Sequence, residues 1–170
     1  MIRRNEGGYG MTKLEILEKQ EELLWFPHFT NDDGWELGCY MVEEAKRQGI
    51  QIAMCIRLNN GYRVFQYGPC GTSILNQAWM ERKYNTVKLM DRSSLRSLYA
   101  MEAKGQTLKD HGLTDEEYVL CGGGFPIRVR GVGNIGVVLV SALPHECDHE
   151  FIVGCLAGYL GVENVPRLEI

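Results

Sequence analysis

The decapeptide NIGVVLVSAL at residues 134–143 is apolar at almost every position and rich in Val and Ile. A strand with one wet face alternates apolar and polar residues. A continuously apolar run suits a central strand covered on both faces. Other strand signals surround it. IQIAMCIRL (50–58) and YRVFQY (62–67) flank Asn-Asn-Gly, and Asn-Gly tolerates the positive φ of a tight turn, so a hairpin is expected. YVLC (118–121) and GFPIRVR (124–130) read as two further strands.

Helices fill the intervals. Leu14, Leu17, Glu21 and Leu24 recur at helical spacing, which predicts a helix over 12–25 ended by Pro27. Cap-type residues before 32 and Gly49 after the last turn bracket a second helix over 32–48, with Leu37, Tyr40, Met41 and Ala45 as its inward stripe. Residues 73–90 and 93–104 read as two more, and 144–162 as the last. Thr-Asp-Glu-Glu at 114–117 has capping-box spacing and predicts a short helical turn. This order indicates one α+β domain with an antiparallel sheet. We expect a flexible leader over 1–11 and a single domain over 12–170.

The chain of 170 residues can bury a core without metal or disulfide staples. Its net charge of -4 and scattered Lys and Arg argue against nucleic acid, which needs a concentrated basic face. The six cysteines include no C-x-x-C pair. Cys55, Cys121 and Cys155 sit in apolar segments, where cysteine acts as a small buried hydrophobe. The longest apolar stretches are too short to cross a bilayer, so a cytoplasmic protein without membrane partners is expected.

Three stretches carry candidate chemistry. In the first, Gly122, Gly123 and Gly124 allow close backbone approach to a ligand, and they equally suit tight turns. Pro126 removes a ladder donor, so its strand should begin at an edge or a bulge. In the second, Leu75, Trp79, Arg82, Thr86 and Met90 share a helix stripe with Lys83 beside it. Arg82 and Lys83 could clamp an anion, with Asn85 and Thr86 adding hydrogen bonds, because a guanidinium matches a carboxylate bidentately. The same cations could serve ion pairs, their stems lying over Trp79.

The third stretch is PHECDHE, residues 144–150. His145 and His149 are one turn apart and could share a metal; the string matches the short H-E-x-x-H pattern of zinc enzymes. His149 is the candidate ligand or acid/base. Alternatively Glu146, Asp148 and Glu150 offset the positive end of the helix dipole. The apolar helix behind them would then form an interface, with Gly154 and Gly158 admitting a second helix.

Residues 122–160 combine glycines, Pro-Ile, a Gly turn, a G-x-IGV strand with a Ser, and an acidic helix start. Together with WMERKYNTVKLMDRSS (79–94) and the Asp-His-Glu at 148–150, this pattern resembles the haem-degrading (GlcG/HbpS-like) domain superfamily, and within it a short cytoplasmic branch. The resemblance spans roughly residues 12–162. It implies a profilin-like three-layer sandwich, a five-stranded antiparallel sheet with helices on both faces. It also implies a homo-oligomer and a small anionic ligand, with haem, haem-derived iron or another tetrapyrrole as the named candidate. The expected function is therefore an oligomeric binding protein for such a ligand. The alternatives are a non-enzymatic interaction or scaffold module and a small metal-dependent enzyme using His145 and His149.

Overall fold

The structure is a computed structural model that describes residues 10–170. The expected leader lies, through residue 9, outside the described residues. The elements run α1 (Lys13–Leu23), β1 (Trp25–Phe26), α2 (Asn31–Gln48), β2 (Ala53–Leu58), β3 (Arg63–Tyr67), α3 (Ile74–Met90), α4 (Ser94–Glu102), β4 (Gly124–Val129), β5 (Gly133–Ser141) and α5 (His145–Leu160). A 3-10 turn at Leu108–His111 precedes β4. The helix ends follow local chemistry. Thr12 and Glu15 form a capping box at the start of α1, Thr30 and Asp33 do the same for α2, and Gly49 closes α2 at φ 69°.

The strands lie in the order β1-β4-β5-β2-β3. β5 is central, pairing antiparallel with both β4 and β2 as its unbroken apolar run requires. Alternate residues of each strand serve two cores. Met54, Ile56, Phe125, Ile127, Val138 and Val140 pack with α2 and α5. Ala53, Cys55, Val137 and Leu139 pack with Met80, Tyr84 and Val87 of α3 on the opposite face. A third cluster of Leu17, Leu95 and Leu168 joins α1, α4 and the C-terminal tail. The three layers expected from the resemblance are present.

Three expectations are corrected. The sheet is mixed, because Trp25 and Phe26 run parallel to Arg128 and Val129 and complete the five strands. Residues 118–121 are not a strand, since Thr86 Oγ1 donates to Val119 O (2.8 Å) and accepts from Val119 N–H (3.1 Å), tying this segment to a helix. The buried residues of α3 are Met80, Lys83, Tyr84, Thr86 and Val87, so of the expected stripe only Thr86 is fully covered and Lys83, not Arg82, is the buried cation. The edge expected at Pro126 has a local basis: β1 reaches only Arg128 and Val129, and the β4–β5 register shifts between Ile127 and Arg128. The expected turn at 114–117 closes through Tyr118 N–H to Thr114 O at 3.0 Å.

The apolar helix α5 is covered by its own chain. Tyr40 of α2 occupies the space beside Gly158, and the Arg167 guanidinium lies against Gly154. The small residues admit α2 and the C-terminal tail.

Candidate functional site

A cleft of about 560 Å³ opens between α3, α4, the 118–121 segment and the start of α5. Leu75, Trp79, Leu98, Leu120 and Leu143 give it apolar walls, and Lys83, Cys121, His145 and Asp148 supply its reactive side chains. That size and mixture are those of a small-molecule pocket.

Lys83 and Asp148 sit at its base, 3% and 2% exposed, with Lys83 Nζ donating to Asp148 Oδ2 at 3.0 Å. The same ammonium donates to Val140 O at 2.9 Å. Asp148 Oδ1 accepts the Leu143 N–H at 2.9 Å. Burial raises the Asp148 pKa, and the Lys83 charge opposes that rise. The triple glycine makes this arrangement possible. Gly123 adopts φ +111°, and a Cβ there would lie 2.6 Å from Lys83 Nζ and 2.7 Å from Val140 O. A Cβ on Gly122 would strike the His145 backbone, and one on Gly124 would lie 2.8 Å from Val87. The glycines therefore seat Lys83 and the first turn of α5 against the sheet.

The expected anion clamp is divided. Lys83 faces the cleft, whereas Arg82 donates to Asp115 O (3.2 Å) and stacks over the Trp79 ring with its guanidinium carbon 4.1 Å from the centroid. Asn85 donates to Glu117 O (2.8 Å). With Thr86, these side chains fasten the 115–119 segment to α3 and brace a cleft wall. Gly124 and Pro126 lie in β4, away from the cleft lining.

The histidine pair is split as well. His145 is exposed at the mouth, where its Nδ1 accepts the Gly122 N–H at 3.3 Å. His149 is fully buried, its Nε2 2.8 Å from Gln20 Oε1. Gln20 spends its amide N–H groups on Glu150 Oε1 and Pro166 O, so its oxygen must accept, and His149 carries its proton on Nε2. His149 Nδ1 is left without a partner. Burial depresses the ring's pKa to about 3, so it is neutral. Among the described residues, no three His, Cys, Asp or Glu side chains converge as metal ligands.

The acids of PHECDHE have separate partners. Glu146 binds Lys13 at 2.7 Å and Tyr99, which together lower its pKa. Asp148 holds Lys83, and Glu150 receives Gln20, Arg167 and the Leu168 N–H. Sequence reasoning missed Asp148 as the partner of Lys83, and it missed Leu98, Leu120 and Leu143 as cleft walls. Cys121, expected to be buried, is only partly buried at the cleft, and its surroundings raise its pKa mainly by desolvation.

The family described as "Haem degrading protein HbpS-like" matches residues 29–157. A UPF0303 protein of Paraburkholderia xenovorans is 41% identical over 149 residues, covering 87% of this chain and 90% of its own. A UPF0303 protein of Yersinia enterocolitica is 34% identical over 151 residues, covering 88% and 89%. Among solved structures, the Ybr137w protein superposes with a TM-score of 0.78 at 28% identity, covering 87% of each chain. A PduOC:haem complex superposes with a TM-score of 0.63 at 18% identity, covering 83% of this chain and 99% of its own.

Proposed function

Because the chain belongs to the HbpS-like haem-degrading family, we propose that the cleft binds haem or another flat tetrapyrrole. The observation that carries this reading is the cleft itself. Its volume of about 560 Å³ and its leucine and tryptophan walls suit a broad apolar ring system. Trp79 is held in place by the Arg82 guanidinium stacked on it, so it offers a fixed aromatic face. The PduOC neighbour, whose fold is shared, was crystallised with haem.

The residues present fit such a ligand. Leu75, Trp79, Leu98, Leu120 and Leu143 would pack against the macrocycle. His145 and Cys121 are the cleft side chains of the kinds that hold haem iron. With Nδ1 accepting from Gly122, His145 presents an Nε2–H that can donate to a ligand carboxylate; holding iron through Nε2 would instead require the proton to move to Nδ1 and the Gly122 bond to be given up. When bound, haem supplies a redox-active iron. The chain's own contribution is to orient the ring, limit water at its faces and place Lys83 below it. An assembly of several copies accords with the family resemblance, and size-exclusion chromatography with light scattering reads it directly.

Titration of the purified protein with hemin tests the reading. A saturable red shift of the Soret band is expected, with about tenfold weaker binding in Trp79→Ala because an aromatic wall is lost. His145→Ala is expected to change the Soret position if that ring meets the iron. An unshifted Soret band with wild-type protein overturns the proposal.

A further inference from the structure

Lys83 and Asp148 form an ion pair where an ion pair is expensive. Both are nearly sealed by protein, yet both line the cleft. Taking two charges out of water costs more than their attraction commonly returns, and an apolar pair of similar volume is often as stable. The chain meets a further cost to hold them. Gly123 is left without a side chain, in a left-handed conformation, so that the ammonium fits against Val140 O. Structural need alone gives no reason for this arrangement below an apolar cleft.

The donor count supplies one. An ammonium group has three N–H donors. Among the described residues, Lys83 Nζ has two acceptors, Asp148 Oδ2 and Val140 O. Asp148 is itself tied back, one oxygen on Lys83 and the other on the Leu143 N–H. One N–H of Lys83, a cleft-lining side chain, is thus uncommitted, while each Asp148 oxygen already holds a partner. In an empty cleft solvent water can supply the acceptor. A purely apolar ligand that displaced this water would strand the donor, whereas a ligand bearing a carboxylate or carbonyl oxygen would satisfy it.

We propose that Lys83, fixed by Asp148 and seated by Gly123, is the polarity-selecting residue of the cleft, and that its ligands carry a carboxylate or carbonyl oxygen that reaches the cleft base. This rests on the reading of the cleft as a ligand site and deepens it by naming the group the ligand must carry. A carboxylate is favoured over a carbonyl because it brings the opposite charge to an ammonium whose own counter-ion is shared with a backbone N–H. Charged partners add more than neutral ones in surroundings of low polarity. The apolar walls then read the body of the ligand and Lys83 reads its oxygen.

The test uses the full chain and two probes of one shape, 2-naphthoate and naphthalene, followed by quenching of Trp79 fluorescence in a Trp25→Phe, Trp35→Phe background. The acid is expected to bind at least tenfold more tightly than the hydrocarbon. That preference should vanish in the Lys83→Met, Asp148→Asn double variant, which removes the charges together, and its thermal melt verifies folding. Lys83→Arg should retain part of the preference. Equal binding of the two probes, a preference that survives the double variant, or no binding of the acid at millimolar concentration overturns the inference. Hemin separates this from the haem reading. A Lys83-dependent preference for naphthoate with no Soret shift sustains the inference and removes haem. A Soret shift with no preference for the acid does the reverse.

Discussion

His149 shows how one residue's surroundings set its chemistry. An unfolded histidine titrates near 6.5. Burial, assisted by the nearby Arg167 charge, lowers the folded value to about 3. The unfolded chain therefore takes up a proton that the folded chain refuses. Stability from this source is whole above pH 6.5 and is lost as pH falls toward 3. Over about pH 6 to 5, before most carboxylates titrate, the unfolding free energy should fall by about 1 kcal/mol per pH unit from this ring. Urea unfolding at stepped pH measures it. His149→Gln, which keeps a donor toward Gln20 Oε1, should lose that slope while retaining the fold. An unchanged slope in the variant would show that His149 is not the group responsible. The candidate site was partly legible at this scale. The Arg82–Lys83 pair, the triple glycine and the His145–His149 pair stood out because cations on or beside a covered helix face, a glycine run and two histidines one turn apart are each locally unusual. The division of Arg82 from Lys83 was not legible. Neighbours in sequence point about 100° apart on a helix, and which of them meets the cleft depends on where the sheet lies. Asp148 could be seen as a helix-start acid, but its partner is 65 positions away in sequence.

At the scale of elements, the close approach of α2 to β3 depends on Gly38. A Cβ there would enter the ring of Phe65, itself buried between α2 and the sheet and stacked edge-on with Trp35. Helix propensity alone predicts that Gly38→Ala stabilises a helix interior by about 1 kcal/mol. Overpacking should reverse the sign and destabilise the protein by about 1–3 kcal/mol. Phe65→Leu alone should also destabilise, but the double variant should be better than the sum of the singles. A double-mutant cycle by chemical denaturation reads that coupling; additivity would mean that the two side chains do not compete for the same space. Such packing explains which elements could be read from the chain. The long helices and β2 through β5 carry period, caps and turn residues, so they are legible. β1 spans two residues, too few for any alternation to register. The 118–121 segment has strand-like composition, but the Thr86 hydroxyl, an acceptor and donor from a distant helix, holds Val119 in place of a ladder.

For the whole molecule, the notable arrangement is the third, small core away from the sheet. Leu17 of α1, Leu95 of α4 and Leu168 of the tail bury one another, and Leu98 of the same cluster also lines the cleft. Polar contacts bind the same three parts. Gln20 donates to Pro166 O at 2.9 Å, the Leu168 N–H donates to Glu150 Oε1, and Arg167 clasps Glu150. Glu21 adds a link from α1 to the sheet, binding Arg128 at 2.7 Å and Arg96 at 3.1 Å. Truncation after Val165 would expose Leu17 and Leu95 and leave the buried Glu150 with Gln20 alone. Loss of a buried leucine and of charge-assisted bonds should cost about 3–5 kcal/mol. The damage should be local, because the main core of β2, β4 and β5 with α2 and α5 contains none of the removed residues. Hydrogen exchange should therefore quicken in α1 and α4 while β4 and β5 stay protected. Through Leu98 the cleft should loosen too, so naphthoate or hemin binding should weaken with the sheet intact. Uniformly faster exchange across β5 would contradict this division, since it would make the tail part of one cooperative core; preserved protection in α1 would show that α4 and Glu21 hold that helix without it.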